Sequence, residues 1–184
     1  MKKQFIFLYI FLSLFAAGVL LEHIPQDDRL SEIDTKRFQT QLIRKQSQTI
    51  DLMNQIADSL ERRSLSQTEL FNTFAELFDL DDRAIVVYKN NDLLFWTNNS
   101  LPVEKLDPEN SNEVLKLGSS WYLQHEIKQS HYKIFGFVLI KKVFSYENRF
   151  VKSHFQRDFN LSANITLVTD STKGSSVRDS NGNF

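Results

Sequence analysis

The chain has 184 residues, 41% hydrophobic and 24% charged, with a formal net charge of −1 and no cysteine. Near-neutrality gives no concentrated basic patch of the kind nucleic acid requires. The missing cysteine excludes disulfides, thiolate metal sites, a cysteine nucleophile and a lipobox.

Beyond roughly the first 25 residues, enough chain remains for one domain with a buried core. Sixteen phenylalanines supply mass for that core.

Lys2 and Lys3 are followed by Phe5 to Leu21, a run without charge in which Ser13 is the one polar side chain. A spanning helix needs roughly 17–25 mainly apolar residues. A cleaved signal is shorter and turns polar near its cut. Ala16 and Gly18 offer small residues for a cut, yet Val19, Leu20 and Leu21 carry the apolar run past them. That favours an uncleaved anchor over a cleaved signal. Either way the positive-inside bias keeps the lysines in the cytoplasm and sends the remainder out.

Residues 22–28 form a polar exit around Pro25, and Arg29 to Arg63 contains neither Gly nor Pro. Leu30, Ile33, Phe38, Leu42, Ile50, Met53, Ala57 and Leu60 mark a narrow apolar stripe, with Gln46 in its widest gap. That spacing predicts a long helix burying one edge. Ser66 with Glu69 forms a capping box for a second helix ending near Asp79. Leu70, Phe71, Phe74, Leu77 and Phe78 make its apolar face. Arg83 is the nearest counter-charge for Asp79, Asp81 and Asp82.

From Ala84 the pattern becomes extended. Residues 84–88 and 93–97 read as a β-hairpin across Lys89–Asp92. Residues 101–117 read as a connection with a helical turn from Asn112. Residues 121–127 and 132–143 read as a second hairpin. Trp121, Leu123, His125 and Ile127 fall on one face, and Tyr122, Gln124 and Glu126 on the other. Residues 144–155 read as an irregular or helical crossover, and 163–169 as a fifth strand. The Ser-, Gly- and Asn-rich tail, 170–184, reads as a turn cut before its return strand. The expected fold class is α+β: a long N-terminal helix plus an antiparallel sheet of about five strands. Extracytoplasmic sensor domains of the PAS-like and Cache-like type share this arrangement.

The sequence carries no Gly-rich phosphate loop, no GxSxG and no HExxH. His125 and His131 sit on one expected hairpin without carboxylate or cysteine company, a poor metal site. No catalytic, cofactor-binding or metal-binding residue is assigned. Sequons at Asn98, Asn160 and Asn164 match N-x-S/T, a match that chance supplies readily in a chain this rich in Asn.

Tyr88 to Asn99 (YKNNDLLFWTNN) resembles the "vyknd.l.yWsnn" hairpin of the extracytoplasmic region of bacterial membrane-bound sensor histidine kinases. Trp121-Tyr122, then Phe137 to Lys142 (FVLIKK) and Tyr146 to Phe150 (YENRF), resemble the later "gLilIk..y.yeN.yL" segment. The likeness covers about residues 84–155. It implies a two-component receptor whose second membrane span and kinase core lie beyond Phe184; the H-box and ATP-lid motifs of a histidine protein kinase are not in this chain.

The implied organisation is a membrane anchor or signal segment at 1–25 and a periplasmic or otherwise exported sensor domain at 26–169. The long helix occupies 26–64, the α+β core 65–169, and a polar tail 170–184. The implied location is the bacterial inner membrane, held through residues 5–21. The implied partners are an unknown small-molecule or peptide signal and a second copy, in a homodimer through the N-terminal helix. Tyr88, Trp96, Trp121 and Tyr122 are the candidate ligand-pocket residues, aromatic walls with polar tips. Tyr146, Glu147 and Asn148 are expected to hold the crossover to the sheet. Two other classes stay open: a membrane-anchored structural or interaction protein without a ligand pocket, and a small exported enzyme.

Overall fold

The computed structural model describes residues 27–63, 65–109, 113–162, 164–168 and 177, with side chains from Glu32 onward. The apolar run at 5–21 lies outside the described residues, as does nearly all of the 170–184 tail. Among the described residues no helix is long and apolar enough to cross a membrane.

The long helix, α1, spans Asp27–Arg62. Its 36 residues make a rod of about 54 Å. Buried positions run Phe38, Leu42, Lys45, Gln46, Thr49, Met53, Ile56, Ala57 and Leu60. Steps of three and four keep them on one edge. The outward positions from Glu32 are polar except for Ile33.

A short helix, α2, spans Gln67–Thr73. Ser66 caps it by accepting from the Glu69 backbone N–H, while the Glu69 carboxylate accepts from the Ser66 N–H. The expected single helix to Asp79 is instead two pieces. Phe74 breaks the α geometry, and a 3-10 turn, Ala75–Asp79, completes the segment. The break sets Phe71 and Phe78 5.4 Å apart in a stack, both against Phe95.

The strands are β1 (Arg83–Lys89), β2 (Asp92–Trp96), β3 (Val114–Leu117), β4 (Ser120–Gln129), β5 (Tyr132–Lys142) and β6 (His154–Phe155). The sheet order is β2-β1-β5-β4-β3, every pairing antiparallel. β5 is the spine. β4 lines one side of it, β1 lines the first part of the other side, and β6 continues that side at Lys141 and Lys142.

Asn90 and Asn91 both take positive φ, 52° and 71°, in the two-residue turn between β1 and β2. Such a turn matches the natural strand twist, and Asn tolerates it. Two expectations fail. Residues 114–117 form an edge strand on β4 instead of a helical turn. The expected strand at 163–169 is absent among the described residues 164–168, which form a turn and irregular chain. β4 already carries β3 on its outer edge, so no free edge there awaits another strand.

Both sheet faces are covered, but differently. α1, α2 and the 3-10 turn pack on one face around Met53, Ile56, Leu60, Leu70, Ile85, Val87, Phe95 and Ile134. Farther along the same face, Phe38 and Leu42 meet Val138, Ile140, Phe155 and Phe159. The opposite face gathers Val86, Tyr88, Tyr122, Phe135, Phe137 and Leu139 under Leu101 of the β2–β3 connection. α1 therefore runs antiparallel to β5. From Phe38 to Leu60 it covers about 33 Å, close to the length of an 11-residue strand. Residues 27–37 extend about 16 Å past that contact.

Candidate functional site

Alternation along the strands decides which aromatics can share a site. Tyr88, Tyr122, Phe135 and Phe137 project from the face away from α1, with Trp96 at its margin. Tyr88 meets Phe135 edge-on at 5.9 Å, and Tyr122 meets Phe137 edge-on at 6.2 Å. Phe135 and Phe137 stack at 6.4 Å. Trp121 faces the other way, against the cluster of Phe38, Phe155 and Phe159. Tyr88 and Tyr122 thus share one cluster, Trp96 borders it while its ring meets Phe71 of α2 at 5.7 Å, and Trp121 does not join them.

The cover over this aromatic floor is thin. It consists of Leu101, Val103 and Leu106, with one 3-10 turn at Val103–Lys105. Side-chain contacts tether it at both ends. The Tyr122 hydroxyl stands near the side chains of Ser120 and Ser100. The Lys133 ammonium pairs with Glu109 and donates to the Pro108 carbonyl. At the near margin the Trp96 indole N–H donates to Asn99 Oδ1 at 2.8 Å. Asn98 donates to the Leu80 carbonyl at 3.0 Å, and Thr97 Oγ1 accepts from the Ile85 N–H.

Polar groups stand among the rings. Gln124 is buried, and the Glu126 carboxylate is largely so. Glu126 Oε2 meets the Lys128 ammonium at 3.1 Å. Its Oε1 is buried with no hydrogen-bond partner among the described residues. Burial pushes both the Tyr88 and Tyr122 phenols above their ordinary range, and the Ser120 and Ser100 hydroxyls near Tyr122 oppose that rise. Both tyrosines are therefore neutral donors at neutral pH. The arrangement offers an apolar aromatic floor, neutral hydroxyls and one carboxylate acceptor, and contains no aligned nucleophile and base.

The chain matches no protein-family model, no curated protein and no solved structure.

A second feature escaped the sequence reading. At the middle of the α1 seam, Lys45, Gln46 and Thr49 are each at most 2% exposed. Lys45 Nζ pairs with Asp82, just before β1, and with Asp158 in the 3-10 turn Arg157–Phe159, at 2.5 Å. The same ammonium lies 6.0 Å from the Phe159 ring centroid. Burial raises the Asp82 pKa, but the hydrogen bond and charge of Lys45, with Arg83 alongside, outweigh it and hold the carboxyl below the usual range. Next to this cluster, Gly136 of β5 faces α1 so closely that a Cβ would stand 2.4 Å from Met53 Sδ and 2.6 Å from Thr49 Cγ2. The signal was present in the sequence: polar residues at stripe positions of an amphipathic helix. Their acidic partners lie 37 and 113 residues away, beyond any local pattern. Of the acidic run near Asp79, Asp82 is the member that takes Arg83 as partner, at 3.3 Å.

An open groove of about 450 Å³ lies between α1 and the 3-10 turn, lined by Gln48, Asp51, Gln55, Glu76 and Arg83 among others. Its charges are mixed. His125 and His131 are not brought together: His125 pairs with Gly136, well down the strand, and His131 stands in the β4–β5 turn. Among the described residues no three His, Cys, Asp or Glu side chains form a group able to hold a metal ion.

Proposed function

We propose that this chain is the extracytoplasmic signal-sensing region of a bacterial membrane-bound two-component sensor histidine kinase, with a PAS-like or Cache-like domain. The observation that carries the reading is α1: one helix that follows the apolar N-terminal segment in sequence and is buried along one edge from Phe38 to Leu60, chiefly against β5. A helix satisfies its backbone bonds internally and is stiff, so movement of the domain reaches its N-terminal end. The signal site in this reading is the aromatic face of Tyr88, Tyr122, Phe135 and Phe137, with Trp96 at its margin. The thin Ser100–Glu109 cover acts as a lid. A small molecule or peptide with an apolar body and a donor for Glu126 would enter when the lid lifts. Binding would shift the population between lid arrangements, and α1 would move with the sheet. A homodimer formed through α1 would use Ile33 and the turns before it, because the later outward face is polar. The kinase core and second span belong beyond Phe184.

Two measurements test this reading. A periplasm-dependent reporter enzyme fused after Phe184 should be active, and the fusion should pellet with membranes. A screen of small molecules and peptides against the same protein should find one that raises its melting temperature, with the rise lost in Tyr88→Ala. A fusion recovered free in the cytosol, with the 5–21 run protected inside the fold, would defeat the reading.

A further inference from the structure

The segment between β5 and β6, residues 143–153, carries the most exposed large apolar side chains among those described. Tyr146 is 74% exposed and Phe150 79% exposed, with Val151 beside them. The display is built. The Asn148 carboxamide oxygen accepts from the Phe150 and Val151 N–H groups at 2.8 and 2.9 Å. The Asn148 N–H donates to the Val151 carbonyl. The Glu147 carboxylate accepts from the Ser153 N–H at 2.8 Å, and the Ser153 hydroxyl accepts from the Phe144 N–H. The Ser153 bonds hold the Glu147 carboxyl below its ordinary range. Glu147 and Asn148 thus fix the loop on itself rather than to the sheet, where they were expected to hold it, and Tyr146 points out into solvent.

Charge accompanies the rings. Arg149, with its guanidinium 4.5 Å from the Phe150 ring centroid, and Lys152 are exposed, and Lys142 flanks them. Glu147 is the single acidic residue between Lys142 and His154. Aromatic side chains among cations fit the headgroup layer of a bilayer, where amphipathic rings settle and anionic lipids attract Lys and Arg.

Position selects the occupant. α1 runs antiparallel to β5, so the N-terminal end of α1 and the loop leaving β5 stand at the same end of the sheet. The overhang of α1, residues 27–37, is about 16 Å. A loop of five or six residues out and back can reach about as far. The apolar run at 5–21 precedes that same end in sequence. We propose that residues 143–153 form a second membrane contact: Tyr146 and Phe150 enter the headgroup region, and Arg149 and Lys152 engage anionic phospholipid. This rests on the membrane-anchored reading above. The domain would then be held at two points, the N-terminal segment and the loop, which fixes its tilt relative to the bilayer.

Residues 1–184 contain no cysteine, which allows a unique spin label. The 184-residue protein carrying Val151→Cys, and a control carrying His131→Cys in the turn at the far end of the sheet, are reconstituted in vesicles with and without phosphatidylglycerol. The Val151 label is expected to be shielded from a water-soluble nickel chelate and open to oxygen when the anionic lipid is present, whereas the His131 label stays in water. R149E/K152E should lose the lipid dependence, and Y146S/F150S should lose the shielding. Their side chains are exposed, so an unchanged thermal melt would show the fold intact. Equal water access at both labels in anchored protein overturns the loop contact and leaves the anchored reading standing. Shielding accompanied by label–label coupling between chains would mean a second copy covers the loop, which also overturns it. Protein recovered apart from the vesicles overturns the anchored reading itself.

Discussion

Lys45 provides the sharpest test of what fastens α1 to the sheet. Lys45→Met keeps an unbranched apolar stem, one atom shorter, and deletes the ammonium, leaving Asp82 with Arg83 at 3.3 Å as its remaining partner. Removing one member of a fully buried pair costs about 3–5 kcal/mol. Asp82 is 13% exposed and Asp158 51% exposed. Solvent therefore screens the Asp158 arm, where an exposed pair contributes at most ~1 kcal/mol. Arg83 also relieves part of the Asp82 penalty. The expected loss is about 2 kcal/mol at pH 7, read from urea unfolding with unchanged m-value. Acid dependence gives a second reading. The Asp82 pKa is depressed in the folded protein. Its contribution is fully present above the unfolded value, ~3.9, and is lost as pH falls through the folded value. The wild type should lose that increment below about pH 4, and the variant should lose much less of it. Lys45→Met/Asp82→Asn, which removes the buried carboxylate and leaves Asp158, half-exposed, and Arg83 as the remaining charges, should recover part of the loss. A variant as stable as wild type at pH 7, with its acid dependence intact, would refute the account of Lys45 as the fastening.

Other changes test separate parts of the fold. Gly136→Ala puts a methyl into Met53 and Thr49, and the overpacking should cost about 1–3 kcal/mol by chemical denaturation; Met53→Ala in the same chain should relieve part of that strain. Tyr122→Phe removes the buried hydroxyl beside Ser120 and Ser100, should cost at most about 1 kcal/mol, and should speed amide exchange in the 100–106 cover more than in β5. Asn91→Gly should be neutral or mildly stabilising. Asn91→Val at the same positive φ should cost about 1–2 kcal/mol, both measured by thermal melts.

The elements legible in the sequence were those with strong local signals. The α1 stripe, the Ser66–Glu69 capping box and the Asn90-Asn91 turn each rest on neighbours within one or two turns of chain. β3 was missed because Val114–Leu117 is only four residues long and follows an Asn-rich stretch that suggests a turn. The β-branched run near Ile165 was overread, since propensity alone supplies no partner edge. Period-2 alternation already separated Trp121 from Tyr122, so the pocket list contained a pair that no flat strand can place on one face. The β4–β5 register, which shifts between Trp121 and Tyr122, leaves that separation in place. The Lys45 cluster showed in the sequence only as polar residues within the α1 stripe, because its partners lie 37 and 113 residues away. The loop at 143–153 looked like a connector because exposure cannot be read from a motif.

The polar middle of the α1 seam acts as a key. Lys45 and Thr49 are one helical turn apart, so a slip of about 5.4 Å would carry one into the other's place. The ammonium would then press on Gly136, where there is scarcely room for a methyl, while Asp82 and Asp158 would face an uncharged side chain. Sliding in whole turns along the strands is thereby blocked. What remains for the rod is to tilt or pivot together with its sheet, as a lever does with the plate bolted to it.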